Sequence, residues 1–406
     1  MVAKLTRDGV MLFLARFIRL FSYGALSVVL VFYLTGLGFR ESETGMLLSM
    51  TLLGDTVVSL WLTTRADRIG RRRMLCIGAF LMAGAGLTFA VTSNYIFLIL
   101  AGTIGVVSPS GNEVGPFLPI EQAALSEIVP AEYRTQVFAW YTLTGAVATA
   151  AGSLSAGLLV QALRKAALAP VASDRAVIVL YAAAGILLAI LFTRVSARAE
   201  AQRTHAPVPR FGIAESRGVV LRLSGLFALD AFGGGFVVQS FAAYWFYLRF
   251  GVQPATLGAI FFGANLFAGF SALVASRLAA RIGLVRTMVF THLPSNILLI
   301  LVPLMPNLTL ATAVLLLRFS ISQMDVPTRQ SYTMAIVRPE ERSAAAGVTG
   351  VARTTGAAIA PMLAGILFGR PAWINLPFFI AGGLKIVYDL LLYRAFVRVP
   401  PPEEAR

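Results

Sequence analysis

The chain carries the basic stretch Ala66-Asp67-Arg68-Ile69-Gly70-Arg71-Arg72-Arg73 between two long apolar segments. A weaker copy, Ala280-Arg281-Ile282-Gly283-Leu284-Val285-Arg286, lies 213 residues further along. Parallel repeats related by an axis along the membrane normal are typical of transporters built from two halves. Matching charged loops in an apolar chain therefore indicate a duplicated membrane protein.

The composition favours the bilayer as the solvent of this chain. Of its 406 residues, 57% are hydrophobic and 13% are charged, whereas soluble domains carry about 25% charged residues. A helix that crosses a bilayer needs about 20 mostly apolar residues. We predict an all-α polytopic membrane protein with twelve transmembrane helices, at 10–35, 43–65, 74–93, 95–121, 135–163, 174–194, 220–248, 254–279, 287–304, 308–333, 342–369 and 373–397.

The net charge of +15 does not indicate a nucleic-acid-binding protein, because the cations lie in short loops between the spans. Every second loop is rich in Lys and Arg, and the positive-inside rule places these loops in the cytoplasm. We expect a multi-pass protein of the plasma membrane with both termini cytoplasmic. The first span, 10–35, is too long for the core of a signal peptide and should remain. Cys76 is the only cysteine, which excludes an intrachain disulfide.

The repeat also predicts the domain organisation. Residues 1–195 form an N-terminal six-helix bundle, residues 196–219 form a cytoplasmic linker, and residues 220–406 form a C-terminal six-helix bundle. A further echo joins Pro119-Ile120-Glu121-Gln122 to Pro327-Thr328-Arg329-Gln330, now only 208 residues away. The echo of Ile128-Val129-Pro130-Ala131-Glu132-Tyr133-Arg134 in Ile336-Val337-Arg338-Pro339-Glu340-Glu341-Arg342 has the same displacement. The first half therefore holds five additional residues between Gly70 and Ile128.

The additional residues fit best in the segment 108–119, which contains three prolines and two glycines. Both residue types interrupt helices. We predict that span four is broken there, with Ser110, Asn112 and Glu113 turned towards a central cavity. The alternative is a longer outer loop near Asn94 and a merely kinked helix.

The basic stretch resembles the hallmark of the major facilitator superfamily, G-x-x-x-D-R-x-G-R-R between the second and third transmembrane helices. The matching residues are Asp67, Arg68, Gly70, Arg71 and Arg72, and Thr63 stands where the family has glycine. The resemblance implies two pseudo-symmetric six-helix bundles and solute transport by alternating access.

The resemblance also implies a gating role for this loop. Asp67 would lie near the start of the helix that begins near Arg342, where an anion is favourable by about 0.3–1 kcal/mol. Arg71 would pair with Glu121 or, as the weaker choice, with Glu127. The predicted gating set is Asp67, Arg68, Gly70, Arg71, Arg72 and Glu121. A plainer interpretation is that the arginines only fix the topology.

Ionisable residues inside the spans are the candidates for substrate binding or ion coupling, since each costs about 2.5–3.5 kcal/mol at the bilayer centre. Asp230 and Glu113 are the preferred proton carriers. The alternative for every candidate is a structural ion pair, and the seven-residue spacing of Arg318 and Asp325 favours such a pair. The candidates are Arg16, Arg19, Asp55, Glu113, Asp230, Arg318, Asp325 and Arg353. Lys385 and Asp389 are interpreted as structural, and the two histidines, His205 and His292, as too distant in sequence to form a site.

These features favour a secondary active transporter of a small solute, driven by a proton gradient. The four arginines favour an anionic organic solute. If the acids dominate, efflux of a drug-like or cationic compound by proton antiport is the alternative, although span five lacks the proline of the antiporter motif. A non-transporting receptor or lipid-handling protein is the alternative of another class.

No sequence motif indicates an enzyme, a metal site, a cofactor or direct use of ATP. The expected partners are a small-molecule substrate, a coupling proton and the lipid bilayer, with no nucleic acid. The protein is expected to be a monomer.

Overall fold

The structure is a computed structural model that describes residues 6–113, 115–130, 133–196, 199–200, 215–338 and 341–399, without the side chains of Asp67, Thr135 and Ser343. All regular secondary structure in these residues is helical. The helices are α1 (Arg7–Gly36), α2 (Glu41–Ile69), α3 (Arg71–Val91), α4 (Tyr95–Ile104), α5 (Phe117–Ile128), α6 (Arg134–Lys165), α7 (Pro170–Thr193), α8 (Arg217–Gly235), α9 (Gln239–Phe250), α10 (Pro254–Ile282), α11 (Leu284–Leu301), α12 (Leu308–Phe319), α13 (Asp325–Ile336), α14 (Arg342–Phe368) and α15 (Leu376–Phe396).

Ten of the described helical segments are long and apolar enough to cross a membrane. Two shorter apolar helices, α4 and α12, supply the remaining spans together with α5 and α13, so spans four and ten are each built from two helices. Span seven is also divided, into α8 and α9, directly after Gly233-Gly234-Gly235. The predicted all-α fold with twelve transmembrane helices is confirmed.

The predicted break in span four is confirmed. Helix α4 ends at Ile104 and α5 begins at Phe117, and Gly111 and Gly115 between them have φ values of +69° and +81°, a region that favours glycine. Helix α12 ends at Phe319 and α13 begins at Asp325, so span ten is broken too, which the sequence analysis did not predict.

The position of the additional residues follows from the helix boundaries. The side chains of Asn94 and Asn307 cap the starts of α4 and α12 and are 213 residues apart. Helices α5 and α13 end at Ile128 and Ile336, which are 208 residues apart. The five additional residues therefore lie after the start of α4 and before the end of α5, where the chain is irregular. The alternative of a longer loop near Asn94 is wrong.

The contacts between helices group the chain into two units. The first comprises residues 1–205 and 239–263, and the second comprises residues 206–238 and 264–406. The domain boundaries drawn from the repeat remain a prediction, and residues 201–214 of the predicted linker lie outside the described residues.

Close packing inside each unit depends on small residues. A Cβ atom on Gly152 of α6 would lie 1.9 Å from the carbonyl oxygen of Phe21 on α1, and one on Gly356 of α14 would lie 2.4 Å from that of Ala228 on α8. These glycines let the helix backbones approach closely, as small residues do in membrane bundles. The α1–α6 and α8–α14 contacts in turn hold the first helix of each unit, which carries the buried charges described next.

Candidate functional site

The first unit contains a network of two buried arginines, the buried Glu121 and the half-buried Glu113. Arg19 on α1 is fully buried and donates to both carboxylate oxygens of Glu121 on α5, at 2.6 and 2.7 Å. Its Nε also donates to Oε1 of Glu113 at 2.9 Å, and Arg16 Nη1 donates to Oε2 of Glu113 at 2.7 Å. The two positive charges balance the two negative charges, so these four residues leave no net charge for a ligand.

Aromatic rings hold this network in place. The Tyr141 hydroxyl on α6 donates to Glu121 Oε2, and the Arg16 guanidinium lies 4.5 Å from the centre of the Tyr141 ring. The Arg19 guanidinium lies 4.6 Å from the centre of the Phe117 ring. Cation–π contacts of this kind stabilise a desolvated guanidinium by about 2 kcal/mol. The network therefore fixes the inner ends of α1, α5 and α6 against one another.

The predicted pairing of Arg71 with Glu121 is wrong. Glu121 is occupied by Arg19, and the Arg71 guanidinium instead lies 3.7 Å from Glu127, the weaker choice of the sequence analysis. The reason is depth: Glu121 is completely buried in α5, whereas Glu127 is six residues closer to the exposed end of that helix. The side chain of Arg71 also donates to the carbonyl of Ala199 at 3.3 Å.

The basic stretch has a further partner that the sequence analysis missed. The carboxylate of Glu200 accepts hydrogen bonds from the backbone N–H groups of Arg71, at 2.6 Å, and Arg72, at 3.2 Å. These are the first residues of α3, so the carboxylate lies at the positive end of the helix dipole. Gly70, directly before them, has φ +122°, and Gly283 at the matching place in the second half has φ +88°.

The remaining members of the predicted gating set are on the surface or undescribed. Arg68 and Arg72 are exposed. The side chain of Asp67 lies outside the described residues, so its contact with the helix that begins near Arg342 remains a prediction.

The second unit contains a larger buried network, centred on Asp230 of α8. Lys385 Nζ on α15 lies 2.6 Å from Asp230 Oδ1, and Arg329 Nη1 on α13 lies 3.2 Å from Asp230 Oδ2. The same Arg329 nitrogen lies 3.1 Å from Asp325 Oδ2. Asp230 is therefore held by two cations, which favours its ionised form.

The network extends to α11 through a histidine. His292 Nδ1 lies 2.8 Å from Asp389 Oδ1, and Asn296 Nδ2 donates to Asp389 Oδ2 at 2.8 Å. His292 Nε2 lies 3.7 Å from Asp230 Oδ1. Ligand atoms of Asp230, His292 and Asp325 come within 4.8 Å of one another, but Arg329 and Lys385 already occupy the Asp230 carboxylate, so this set does not suit a metal cation.

Two half-buried arginines in this unit have no anionic partner at ion-pair distance among the described residues. Among the described residues, no carboxylate lies within 4.0 Å of Arg318 on α12 or Arg353 on α14. The Nε atom of each is buried and has no hydrogen-bond partner among those residues. Both interact electrostatically with Asp230 and Asp325, which places them beside the network.

The predicted pair between Arg318 and Asp325 is wrong. A seven-residue spacing brings two side chains to one face only if the helix is continuous, and the chain is irregular between α12 and α13. Asp325 begins a new helix and pairs with Arg329, one turn further along α13.

Asp55 on α2 is the predicted candidate that stands apart from both networks. It is buried, and it accepts hydrogen bonds from the Ser59 hydroxyl, at 3.3 Å, and from the backbone N–H of Gly115 in the broken part of span four. Among the described residues, no cation lies within 4.0 Å of its carboxylate.

Sequence reasoning missed five members of the second network. Lys385 and Asp389 were interpreted as structural, but their partners on other helices, Asp230 and His292, were not predicted. The repeat places Arg329 at the position that corresponds to Glu121, and this match was the one signal in the sequence for a functional arginine in α13. The missed residues are His292, Asn296, Arg329, Lys385 and Asp389.

A comparison with known sequence families decides the family. The profile of the Major Facilitator Superfamily matches residues 12–321 and 226–406, which together span nearly the whole chain. The chain belongs to the major facilitator superfamily. This superfamily member is therefore a multi-pass membrane protein that transports small molecules.

Curated relatives agree with this assignment. An uncharacterized membrane protein of Saccharomyces cerevisiae is 30% identical over 428 residues, which cover 97% of this chain and 95% of the relative. The quinolone resistance protein NorA of Staphylococcus aureus is 28% identical over 124 residues, covering 30% of this chain and 31% of that protein.

Solved structures of other transporters share the fold of this superfamily member. A bacterial homologue of the human lysosomal transporter Spinster, in an inward-facing and occupied conformation, has a TM-score of 0.76 at 16% identity, with 97% of each chain covered. A D-xylose–proton symporter has a TM-score of 0.70 at 14% identity, covering 95% of this chain and 97% of the symporter. At these identities the likeness extends to the fold alone.

Proposed function

We propose that this superfamily member is a secondary active transporter of a small anionic organic solute, driven by a proton gradient across the plasma membrane, with both termini in the cytoplasm. The observation that carries the proposal is the pair of half-buried arginines, Arg318 and Arg353, whose Nε atoms are buried and which have no carboxylate within 4.0 Å among the described residues. By contrast, the buried Arg16 and Arg19 of the first unit are both paired. A cation that is partly withdrawn from water without an anionic partner is costly, so a bound anion would supply what these two arginines lack.

The charges of the second network support an anionic substrate. Four cations, Arg318, Arg329, Arg353 and Lys385, face three carboxylates, Asp230, Asp325 and Asp389. With His292 neutral, the network has one excess positive charge. A guanidinium binds a carboxylate through two parallel hydrogen bonds, which makes arginine well suited to planar anions.

Ligand-induced thermal stabilisation tests the proposal with purified protein. The probes are benzoate, lactate, citrate and inorganic phosphate, compared with ethidium and tetraphenylphosphonium as cations and xylose and uridine as neutral solutes. A ligand that binds the folded state alone raises stability by mass action. We expect stabilisation by at least one carboxylate, lost in Arg318→Gln and Arg353→Gln. Arg286→Gln, an exposed arginine of the same unit, is the matched control and should keep it.

Efflux of a drug-like compound by proton antiport is the second candidate. The local similarity to a quinolone resistance protein favours it, while the missing proline between Gly145 and Gly157 of span five disfavours it. Stabilisation by ethidium or tetraphenylphosphonium, with no response to any anion, would select this candidate and overturn the first.

A further inference from the structure

We propose that Asp55 binds and releases the coupling proton, and that the broken part of span four transmits its protonation state to α9. The coupling role rests on the proposed function, whereas the assignment of a proton-binding site does not.

The first observation is that Asp55 lacks a counter-ion. Three other carboxylates of the first unit each have an arginine nitrogen within 3.0 Å: Glu113 with Arg16, Glu121 with Arg19, and Asp174 with Arg164. Asp8, at the start of α1, instead accepts hydrogen bonds from Ser196. Asp55 is only 7% exposed and has no arginine partner among the described residues. An isolated ionised carboxylate in a membrane-spanning segment is costly unless it is neutralised. A bound proton neutralises it.

The second observation is the charge balance around Asp55. The buried network of Arg16, Arg19, Glu113 and Glu121 is neutral by itself. An ionised Asp55 adds one negative charge to this region, and a protonated Asp55 adds none.

The groups that face Asp55 offer no compensating cation. Glu113 faces it from the break in span four, Tyr23 from α1 and Tyr181 from α7, while Ser59 lies on its own helix. Glu113 is a like charge, and the tyrosines and serine are neutral. Binding a proton is therefore the one change at Asp55 that restores neutrality there.

The third observation is a hydrogen-bonded route from Asp55 to α9, all within the first unit. Gly115 donates its backbone N–H to the Asp55 carboxylate. At the other side of the same irregular segment, the carbonyl of Pro109 accepts hydrogen bonds from the backbone N–H of Ser240, at 3.2 Å, and from its hydroxyl, at 2.5 Å. Ser240 is the second residue of α9, the outer half of span seven.

This route gives protonation a structural consequence. A hydrogen bond to an ionised carboxylate is about twice as strong as a hydrogen bond to a neutral group. Protonation of Asp55 therefore weakens the hydrogen bond that it accepts from the Gly115 N–H. Gly115 and Gly111 both have positive φ values, one of several conformations open to glycine, so contacts such as this one select the conformation of the segment. Weakening the contact releases the segment that fixes the start of α9.

The predicted proton carriers Asp230 and Glu113 are less suited to this role. Each is held by two cations, and protonating either would leave a buried cation without its partner. Breaking one side of a buried ion pair costs about 3–5 kcal/mol. His292, between Asp230 and Asp389, is the competing titratable group.

Infrared difference spectroscopy of the reconstituted protein tests the site without any substrate. Spectra are recorded at about pH 6 and about pH 9, because exposed carboxyl groups with ordinary pKa values of about 4 stay ionised over this range. They should differ by a carboxylic acid C=O band, and this band should be lost in Asp55→Asn. Asp174→Asn is the matched control, because Asp174 is a buried carboxylate of the same unit that is paired with Arg164, and the band should persist. A band that persists in Asp55→Asn overturns the assignment.

Asp55→Glu keeps the assignment testable if Asp55→Asn does not reconstitute. The longer carboxyl group should retain the band but shift its titration midpoint, and an unchanged midpoint overturns the assignment.

Flux measurements test the coupling separately, in proteoliposomes loaded with whichever of the four anionic probes stabilises the wild type. Asp55→Asn should retain counterflow of that anion and lose its acceleration by an imposed proton gradient. If the proton gradient still accelerates counterflow in Asp55→Asn, the coupling role is overturned. The same holds if the acceleration is lost in His292→Gln but not in Asp55→Asn. If no anion is transported while the infrared band behaves as expected, the proposed function fails and the proton-binding site stands.

Discussion

Glu121 and Arg329 occupy equivalent places in the two halves and carry opposite charges. Each is the fifth residue of a twelve-residue helix that forms the second part of a broken span, and each is buried. Glu121 pairs with Arg19 of span one, and Arg329 pairs with Asp230 of span seven. In both halves, therefore, a buried ion pair joins the first helix to the second part of the broken span, with the charges reversed.

Removing one member of the first pair should destabilise the protein. Glu121→Gln leaves the fully buried Arg19 with Glu113 as its remaining carboxylate, which is shared with Arg16. We expect a loss of about 3–5 kcal/mol in the free energy of unfolding, measured in detergent by thermal or denaturant unfolding. The double variant Arg19→Met/Glu121→Met should recover most of it, because no buried charge is then stranded. The exposed neighbour Glu127→Gln is the control and should change stability by about 0–1 kcal/mol. Equal effects of Glu121→Gln and Glu127→Gln would contradict the buried pairing.

The second network should respond to a compensating substitution. Asp230→Asn leaves Lys385 without its carboxylate, whereas Arg329 keeps Asp325. We expect a loss of stability of about 3–5 kcal/mol and reduced transport with and without a proton gradient. Adding Lys385→Met should restore stability in the same unfolding assay. Failure of this second change to improve the unfolding midpoint would exclude the Lys385 pairing.

The broken part of span four should depend on its glycines. Gly115 has φ +81°, and a Cβ atom there would lie 2.8 Å from Val106 Cγ1. Gly115→Ala should therefore destabilise the protein by more than the roughly 1–2 kcal/mol cost of a left-handed conformation. Gly84→Ala in α3 is the matched control, because nothing lies within 4 Å of its added Cβ, and it should be neutral or stabilising by up to about 1 kcal/mol. Unfolding midpoints of the two variants give the comparison, and a neutral Gly115→Ala would argue against the irregular conformation.

The gating role of the basic stretch predicts a separation of binding from flux. Asp67→Asn should impair transport while leaving ligand-induced thermal stabilisation largely intact, because this loop is expected to stabilise one access state and not to touch the solute. The topogenic alternative predicts normal flux under a saturating gradient. Comparing flux with stabilisation by the same probe separates the two.

The loop charges predict that the linker is cytoplasmic, and labelling tests this prediction. In a Cys76→Ser background, single cysteines placed in residues 201–214 should react with a membrane-impermeant maleimide only after the cells are opened. Reaction in intact cells would reverse the topology.

The sequence specified the architecture well and the pairing of its charges poorly. The break in span four was predictable because the repeat offset changes from 213 to 208 residues and because Pro109, Gly111 and Gly115 interrupt helices. The break in span ten gave no such signal, since residues 320–324 contain neither proline nor glycine. That omission led directly to the wrong pairing of Arg318 with Asp325.

Long-range pairing was also beyond sequence reasoning. The partner of Arg71 depends on how deeply Glu121 and Glu127 lie in α5, which periodicity does not reveal. His292 and Asp389 are 97 residues apart in the chain and meet only because α11 packs on α15. A lone histidine in an apolar helix gives no indication of such a contact.

The most direct test is flux in proteoliposomes that contain a pH-sensitive dye. A small carboxylate is added outside, with the outer solution more acidic than the inside. We predict that the carboxylate enters together with protons. Arg318→Gln and Arg353→Gln should abolish both movements, and Arg286→Gln should retain them. The contradicting result is proton movement that ethidium or tetraphenylphosphonium drives without any carboxylate and that persists when either arginine is replaced. This result would exclude proton-coupled transport of an anion.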